Sequence, residues 1–129
     1  MKLTKEEAIA NHRKMWNWIA DETERLERIV SKAEYFQKHN ISNYDIPPHS
    51  CYCCAFDLQY WALPLCGACP INWGVNTEIT SCIIEESAFC SKKESPFRKW
   101  VTVVNYYPDD WERAAKFARE IANLPEREE

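Results

Sequence analysis

The sequence predicts a mainly α-helical protein in which a long N-terminal helix packs with two C-terminal helices and zinc clasps a cysteine-rich middle segment. Three observations lead to this fold class: a heptad pattern near the N-terminus, two capped helical segments near the C-terminus, and five cysteines within nineteen residues between them. The chain of 129 residues is long enough for one domain with its own core and too short for two ordinary ones. We therefore expect a single domain over residues 1–129.

The first predicted element is one long helix over residues 5–38. Thr4 and Glu7 have the spacing of a capping box, in which two side chains satisfy backbone amides at a helix start. No glycine or proline follows until Pro47. A packed helical face is indicated by residues at a and d heptad spacing, namely Ile9, His12, Trp16, Ile19, Thr23, Leu26, Val30 and Ala33. We expect this face to pack within the domain, and a homodimer through the long helix is the alternative.

The predicted metal-binding insert covers residues 51–90. Cys51-x-x-Cys54 and Cys66-x-x-Cys69 are pairs with the spacing at which one tight turn directs both sulfurs at a single ion. Two such pairs complete the tetrahedral shell of a structural zinc site. The spacing therefore predicts one Zn²⁺ per chain, held by Cys51, Cys54, Cys66 and Cys69.

The insert contains more candidate ligands than one zinc ion needs. Cys82 is the main substitute for one of the paired thiols, because Gly74 allows the chain to turn back towards them. His49 stands two residues before the first thiol and is a further candidate. Cys53 is expected to lie outside the metal shell as a small thiol, and the role of Cys90 stays open.

Three other cysteine chemistries fit the sequence less well. An iron–sulfur cluster would account for Cys69-Pro70, but the Cys-x-x-Cys-x-x-Cys run that normally precedes this dipeptide is absent. A thioredoxin-like dithiol at Cys66 and Cys69 lacks the strand of a βαβ unit before it. A zinc deaminase would need an upstream His-x-Glu or Cys-x-Glu, which the sequence does not contain. We therefore expect a protein that is not an enzyme.

Residues 95–124 are predicted to form a pair of helices. Ser95 and Pro96 are a typical N-cap and first helical residue, and the apolar positions that follow have helical spacing, although the β-branched residues among them favour a strand. Asp109, with Glu112 three residues later, is the expected N-cap of the last helix. One face of that helix is rich in alanine, which permits close approach to the N-terminal helix.

Composition and termini restrict the partners that the chain is expected to have. No apolar run approaches the ~20 residues that cross a bilayer, so no membrane partner is expected. The N-terminus lacks the apolar stretch of a secretory signal, which favours the cytoplasm, where thiols stay reduced. The net charge of -4 argues against broad binding to nucleic-acid phosphates, and the local basic cluster consists of Lys92, Lys93, Arg98 and Lys99.

Several segments, in their order along the chain, carry a resemblance to known proteins. They are the opening from Lys5 to Ala20, the two cysteine pairs with Cys69-Pro70-x-x-Trp73, the later Cys82 and Trp100, and the closing run from Ala118 to Pro125. This order resembles a group of small uncharacterised proteins from phages and prophages of Gram-positive bacteria. In that group a cysteine recurs after the Cys-Pro-x-x-Trp segment, so the resemblance implies that Cys82 replaces one paired thiol. It also implies a phage accessory protein in the host bacterial cytoplasm.

The sequence thus predicts a protein that acts by binding. The expected partner is a host or phage protein, and inhibition of a bacterial defence system is the role that the phage context suggests. Aromatic residues are the commonest interface anchors, and those predicted to form the contact surface around the metal are Tyr52, Phe56, Tyr60, Trp61 and Trp73. Core packing around the zinc is the alternative role for each of them. The alternative functions are a zinc-ribbon nucleic-acid binder, a sponge for a nucleotide signal, and a thiol oxidoreductase.

Overall fold

The computed structural model shows a mainly helical chain and describes residues 3–47, 50–53, 69–73 and 95–126. The helices within these ranges are α1 (Lys5–Leu26), α2 (Lys32–Lys38), α3 (Pro96–Tyr106) and α4 (Trp111–Ala122). The described residues contain no β-strand, and an isolated antiparallel bridge joins Ile71 to Glu126. None of the helices in these ranges is long and apolar enough to cross a membrane. The predicted mainly helical class is confirmed.

α1 begins at the predicted capping box. The Glu7 amide donates to the Thr4 hydroxyl at 3.1 Å, and the Thr4 amide donates to the Glu7 carboxylate at 3.0 Å. Hydrogen bonds from the Thr4 backbone amide and from the Thr4 side chain lower the pKa of the Glu7 carboxyl, because they favour its charged form. The predicted heptad face is buried along this helix, at Ile9, His12, Trp16, Ile19 and Thr23.

The prediction of one helix over residues 5–38 is wrong, because α1 ends at Leu26 and a separate helix, α2, begins at Lys32. Glu27 takes a left-handed backbone conformation with a φ of 53°, and a residue in this conformation commonly ends a helix. The buried hydroxyl of Thr23 then accepts the Val30 amide at 3.2 Å. This bond provides a partner for a buried amide that the helix itself no longer pairs.

A second capping box starts α2. The Glu34 amide donates to the Ser31 hydroxyl at 3.2 Å, and the Ser31 amide donates to the Glu34 carboxylate at 2.8 Å. The pKa of the Glu34 carboxyl is lowered mainly by its hydrogen bond from Arg28, at 2.8 Å, and also by its bonds with Ser31. α2 buries Tyr35 and Phe36, so the break in the helix brings two further aromatic rings into the core.

α3 forms at the predicted position, which confirms a helix over the competing strand. The Ser95 hydroxyl accepts the Phe97 amide at 3.1 Å, and Pro96 occupies the first turn, where a missing amide proton costs no hydrogen bond. The helix buries Trp100 and Val103. Helical periodicity and the cap therefore prevail over the strand preference of the β-branched residues.

The last helix begins one residue later than predicted. Asp110 is its N-cap in place of Asp109, and the Asp110 carboxylate accepts the Arg113 amide at 3.1 Å. The Asp110 amide donates to the Tyr107 carbonyl at 2.9 Å, so Asp109 lies within the turn that precedes the helix. Asp109, which the sequence pattern predicts to be the N-cap, is therefore part of the preceding turn.

α4 packs against both α1 and α3. Its buried face carries small side chains that let the neighbouring backbones approach closely, at Ala114, Ala115, Ala118 and Ala122. His12 Nε2 of α1 lies 3.1 Å from the Ile121 carbonyl oxygen, and Arg13 donates to the Leu124 carbonyl at 3.2 Å. One acceptor lies in the last turn of α4 and the other just after the helix ends, so these bonds attach α1 to the C-terminal end of α4.

An ion-pair network joins the same two helices at the surface. The Arg119 guanidinium lies 2.6 Å from the Glu24 carboxylate and 2.9 Å from the Asp21 carboxylate. These hydrogen bonds raise the pKa of Arg119. All three side chains are exposed, and exposed ion pairs add little stability. The buried alanine face, rather than this network, holds α1 on α4.

Replacing Ala118 by leucine is expected to lower the free energy of unfolding by about 1–3 kcal/mol, because extra methyl groups do not fit a fully buried helix contact. Urea unfolding followed by circular dichroism measures the change. Glu120→Leu, at an exposed position of the same helix, is the matched control and should change stability by less than about 0.5 kcal/mol. Equal effects of the two variants would contradict close packing at Ala118.

Candidate metal centre

The structure describes two of the four predicted zinc ligands. Cys51 stands at the start of the short helical stretch formed by Tyr52 and Cys53, and Cys69 opens the described segment 69–73. The other candidate ligands lie outside the described residues, and they are His49, Cys54, Cys66, Cys82 and Cys90. The structure therefore describes one cysteine of each predicted pair.

The three described thiols lie close together, with Cys53 and Cys69 buried and Cys51 half-buried. Cys51 and Cys69 both lie near enough to Cys53 to influence the ionisation of its thiol. Side-chain hydrogen bonding to Cys51 and then to Cys69, together with burial, raises the pKa of the Cys53 thiol well above its ordinary value, so its neutral form is favoured. Cys51, Cys53 and Cys69 carry no disulfide bond to one another.

Two predicted ligands from different Cys-x-x-Cys pairs thus converge on one place. Cys51 and Cys69 both contact the thiol of Cys53, although many residues separate them in the chain. Such convergence is what a shared tetrahedral site requires of its ligands. Within the described ranges, no group of three or more His, Cys, Asp or Glu side chains is arranged to hold a metal ion. The described part therefore places one cysteine of each predicted pair beside Cys53.

Cys69 has a second polar contact in the core. The indole Nε1 of Trp73 donates a hydrogen bond to Cys69 Sγ at 3.3 Å. Cys69 is 3% exposed and Trp73 is 4% exposed. The sulfur is therefore shielded from water and accepts its hydrogen bond from a protein group.

The predicted contact surface requires a correction at two of its five aromatic residues. Tyr52 is 7% exposed and packs against Phe36 with a ring-centroid distance of 6.3 Å, and burial raises the pKa of its hydroxyl. Trp73 is buried beside Cys69. Both rings therefore pack in the core around the thiols and present no surface to a partner. The remaining members, Phe56, Tyr60 and Trp61, lie outside the described residues.

The backbone after Cys69 is held against the C-terminal end of the chain. The isolated bridge pairs Ile71 with Glu126, and the Asn72 amide donates to the Pro125 carbonyl at 2.9 Å. These backbone contacts attach the segment to the residues that follow α4. They fix the position of Cys69 relative to the helical core.

His12 lies in the same buried region, and its predicted role as a packed residue of the helical face is confirmed. Its Nε2 atom bonds the Ile121 carbonyl oxygen, and its ring meets that of Trp73 edge-on with a centroid distance of 5.6 Å. A carbonyl oxygen can only accept, so Nε2 carries the proton in this bond. Nδ1 is buried and has no hydrogen-bond partner in the described part of the chain. Burial lowers the pKa of His12, while the nearby Cys51 opposes that shift.

The predicted basic cluster is only partly described. Arg98 and Lys99 are exposed on the first turns of α3. Lys92 and Lys93 lie outside the described residues. The structure therefore shows two of the four cations on the surface.

Comparisons with protein-family models, with curated proteins and with solved structures find no match to this chain. The resemblance to phage and prophage proteins therefore stays a prediction. Function has to be argued from the chemistry of the buried thiols and from the surface around them.

Acidification from pH 7 to pH 5 is expected to destabilise the protein through His12. Burial keeps this imidazole neutral in the folded state, whereas in the unfolded chain it titrates near 6.5. Below that pH the unfolded state binds more protons, so stability falls by up to about 1.4 kcal/mol per pH unit until the lower folded pKa is reached. Urea unfolding at a series of pH values measures this slope.

The His12→Gln variant is the control for this titration. Glutamine offers an amide proton for the Ile121 carbonyl but does not titrate in this range. The variant should be less stable than the wild type at pH 7 and should lose less stability between pH 7 and pH 5. Identical slopes for the two proteins would show that His12 does not cause the acid sensitivity.

Proposed function

We propose that this protein is a helical binding module with one structural Zn²⁺ per chain, and that it acts by binding a host or phage protein. Cys51, Cys54, Cys66 and Cys69 would hold the ion, with Cys82 as the substitute ligand. The observation that supports the zinc site most is the meeting of Cys51 and Cys69 at one buried thiol. Inhibition of a bacterial defence system is the specific role that we assign to such a module.

The buried thiols suit zinc because a divalent cation lowers the pKa of a coordinating thiol. A bound Zn²⁺ would favour thiolates at its ligands, since a coordinating thiol is deprotonated by the ion. When bound by four thiolates, zinc leaves no open position for a substrate or water. The ion would therefore supply folding energy to the middle segment instead of catalysis.

The described residues give less support to the alternative functions. A reactive dithiol needs partial exposure, whereas Cys69 is buried and hydrogen-bonded. A nucleic-acid binder needs an extended basic face, whereas the chain has a net charge of -4. A protein partner therefore fits the observations better than either a thiol substrate or a phosphate backbone.

One part of the described surface carries the residue types that protein interfaces favour. Tyr106 is 75% exposed and Tyr107 is 54% exposed, next to each other at the end of α3. The Arg113 guanidinium lies 5.6 Å from the centre of the Tyr107 ring. Tyrosine and arginine are enriched among residues that carry binding energy. These residues support a protein partner at this end of the helix pair.

Elemental analysis of the purified protein is expected to find one zinc per chain, and chelation should expose about four further thiols to a thiol reagent. Cys51→Ser and Cys69→Ser should each lose the zinc. Cys53→Ser is the matched control and should keep it, because Cys53 lies outside the proposed ligand set. A protein without metal would refute the zinc site, and loss of zinc in Cys53→Ser but not in Cys54→Ser would place Cys53 in the shell.

The binding role is tested by affinity capture from bacterial lysate with the wild type and with a Tyr106→Ser, Tyr107→Ser double variant. The two exposed hydroxyl-bearing rings make few core contacts, so the variant should unfold at the same urea concentration as the wild type. A partner held by the wild type should be lost or weakened at least tenfold in the variant. Equal capture by both proteins would exclude this surface, and the absence of any partner would contradict the binding role.

A further inference from the structure

We propose that Trp73 is a positioning residue of the metal centre, and that its indole N–H holds Cys69 Sγ in the orientation in which this sulfur binds the ion as a thiolate. This inference rests on the proposed zinc function and adds to it a residue outside the ligand shell. The sequence offers Trp73 only as a surface or core aromatic, so the role comes from the tertiary contact.

The first support is the contact itself. The donor Nε1 lies 3.3 Å from the sulfur, and both side chains are buried. A neutral thiol is a weak acceptor, whereas a hydrogen bond to an ionised acceptor is about twice as strong as one between neutral groups. The same indole would therefore bind the thiolate of a metal ligand more tightly than it binds the thiol.

The second support is the free-energy cost of burying the negative charge of a thiolate shell. Four thiolates around one Zn²⁺ leave a net charge of about −2 in the interior, which costs free energy unless N–H donors offset it. Outer hydrogen bonds of this kind orient the ligands of metal sites and tune their basicity. At Cys69 the indole of Trp73 provides such a donor where burial limits access of water.

The third support is that the helical core holds the indole in place. The Trp73 ring meets His12 of α1 edge-on at 5.6 Å and Phe97 of α3 at 6.3 Å. His12 is in turn bonded to the Ile121 carbonyl of α4. The Trp73 ring therefore packs directly against α1 and α3, and α4 holds His12 in place behind it.

Trp100 provides a matched control within the same core. It is 7% exposed, close to the exposure of Trp73, but its Nε1 has no hydrogen-bond partner in the described residues. Replacement by phenylalanine removes one indole N–H and similar ring volume at either position. Only at position 73 does it also remove a hydrogen bond to sulfur.

The test compares Trp73→Phe with Trp100→Phe in the full chain. Zn²⁺ affinity is measured by competition with a chelator of known affinity, and Co²⁺ substituted for zinc reports the thiolate ligands through its charge-transfer absorption. Trp73→Phe should weaken Zn²⁺ binding by about 10- to 100-fold, as loss of outer-shell partners does at other metal sites. It should also shift the Co²⁺–thiolate band. Trp100→Phe should stay within about threefold of the wild type and leave the band unchanged.

A second variant distinguishes loss of the N–H from loss of ring volume. It also provides a test if Trp73→Phe does not fold. Benzothienylalanine at position 73 keeps the bicyclic shape and replaces the N–H with sulfur, and it should weaken Zn²⁺ binding as the phenylalanine variant does. If the benzothienylalanine protein binds Zn²⁺ as tightly as the wild type, or if Trp100→Phe weakens Zn²⁺ binding equally, the role of Trp73 is overturned and the zinc site is unaffected. A wild-type protein that binds no zinc would overturn both proposals together.

Discussion

The close approach of α1 to the alanine face of α4 is the contact on which the rest of the structure depends. Alanine has no side chain beyond Cβ, so the two backbones come near enough for His12 Nε2 to reach the Ile121 carbonyl oxygen. That bond adds a second donor to the Ile121 carbonyl, which also accepts the Leu124 amide at 3.3 Å, and the buried imidazole packs with its ring against Trp73. A contact between two helices thereby positions an aromatic residue of the cysteine-rich segment, and through it the sulfur of Cys69.

The helical core is polar for a buried region, and this polarity affects the stability of the fold. His12 Nδ1 and Trp100 Nε1 lie buried without a hydrogen-bond partner among the described residues. A buried polar atom left without a partner costs about 1–3 kcal/mol. The aromatic rings packed around these atoms offset that cost by removing apolar surface from water.

The starts of α1 and α3 were predictable because capping is a local interaction. Thr4 with Glu7 and Ser95 with Pro96 act within one turn, so their spacing in the sequence is enough to place α1 and α3. The end of α1 was not predictable in the same way. Glutamate has no special preference for the left-handed conformation of Glu27, and Val30 remains buried after the break, so the heptad pattern continues across it. The capping-box spacing of Ser31 and Glu34 does indicate a new helix start, but the continuous heptad pattern favoured a single helix instead.

The sequence by itself determined the helical class, the starts of α1 and α3 and the two cysteine pairs, because each depends on residues within a few positions of one another. Only the tertiary structure decided that Cys51 and Cys69 meet at Cys53, since the spacing of one pair says nothing about the position of the other. It also decided that Trp73 and Tyr52 face inward, because a tryptophan or tyrosine suits a core and an interface equally well until its neighbours are known. The indole bond to Cys69 depends on the packing of three helices, and no local pattern specifies it.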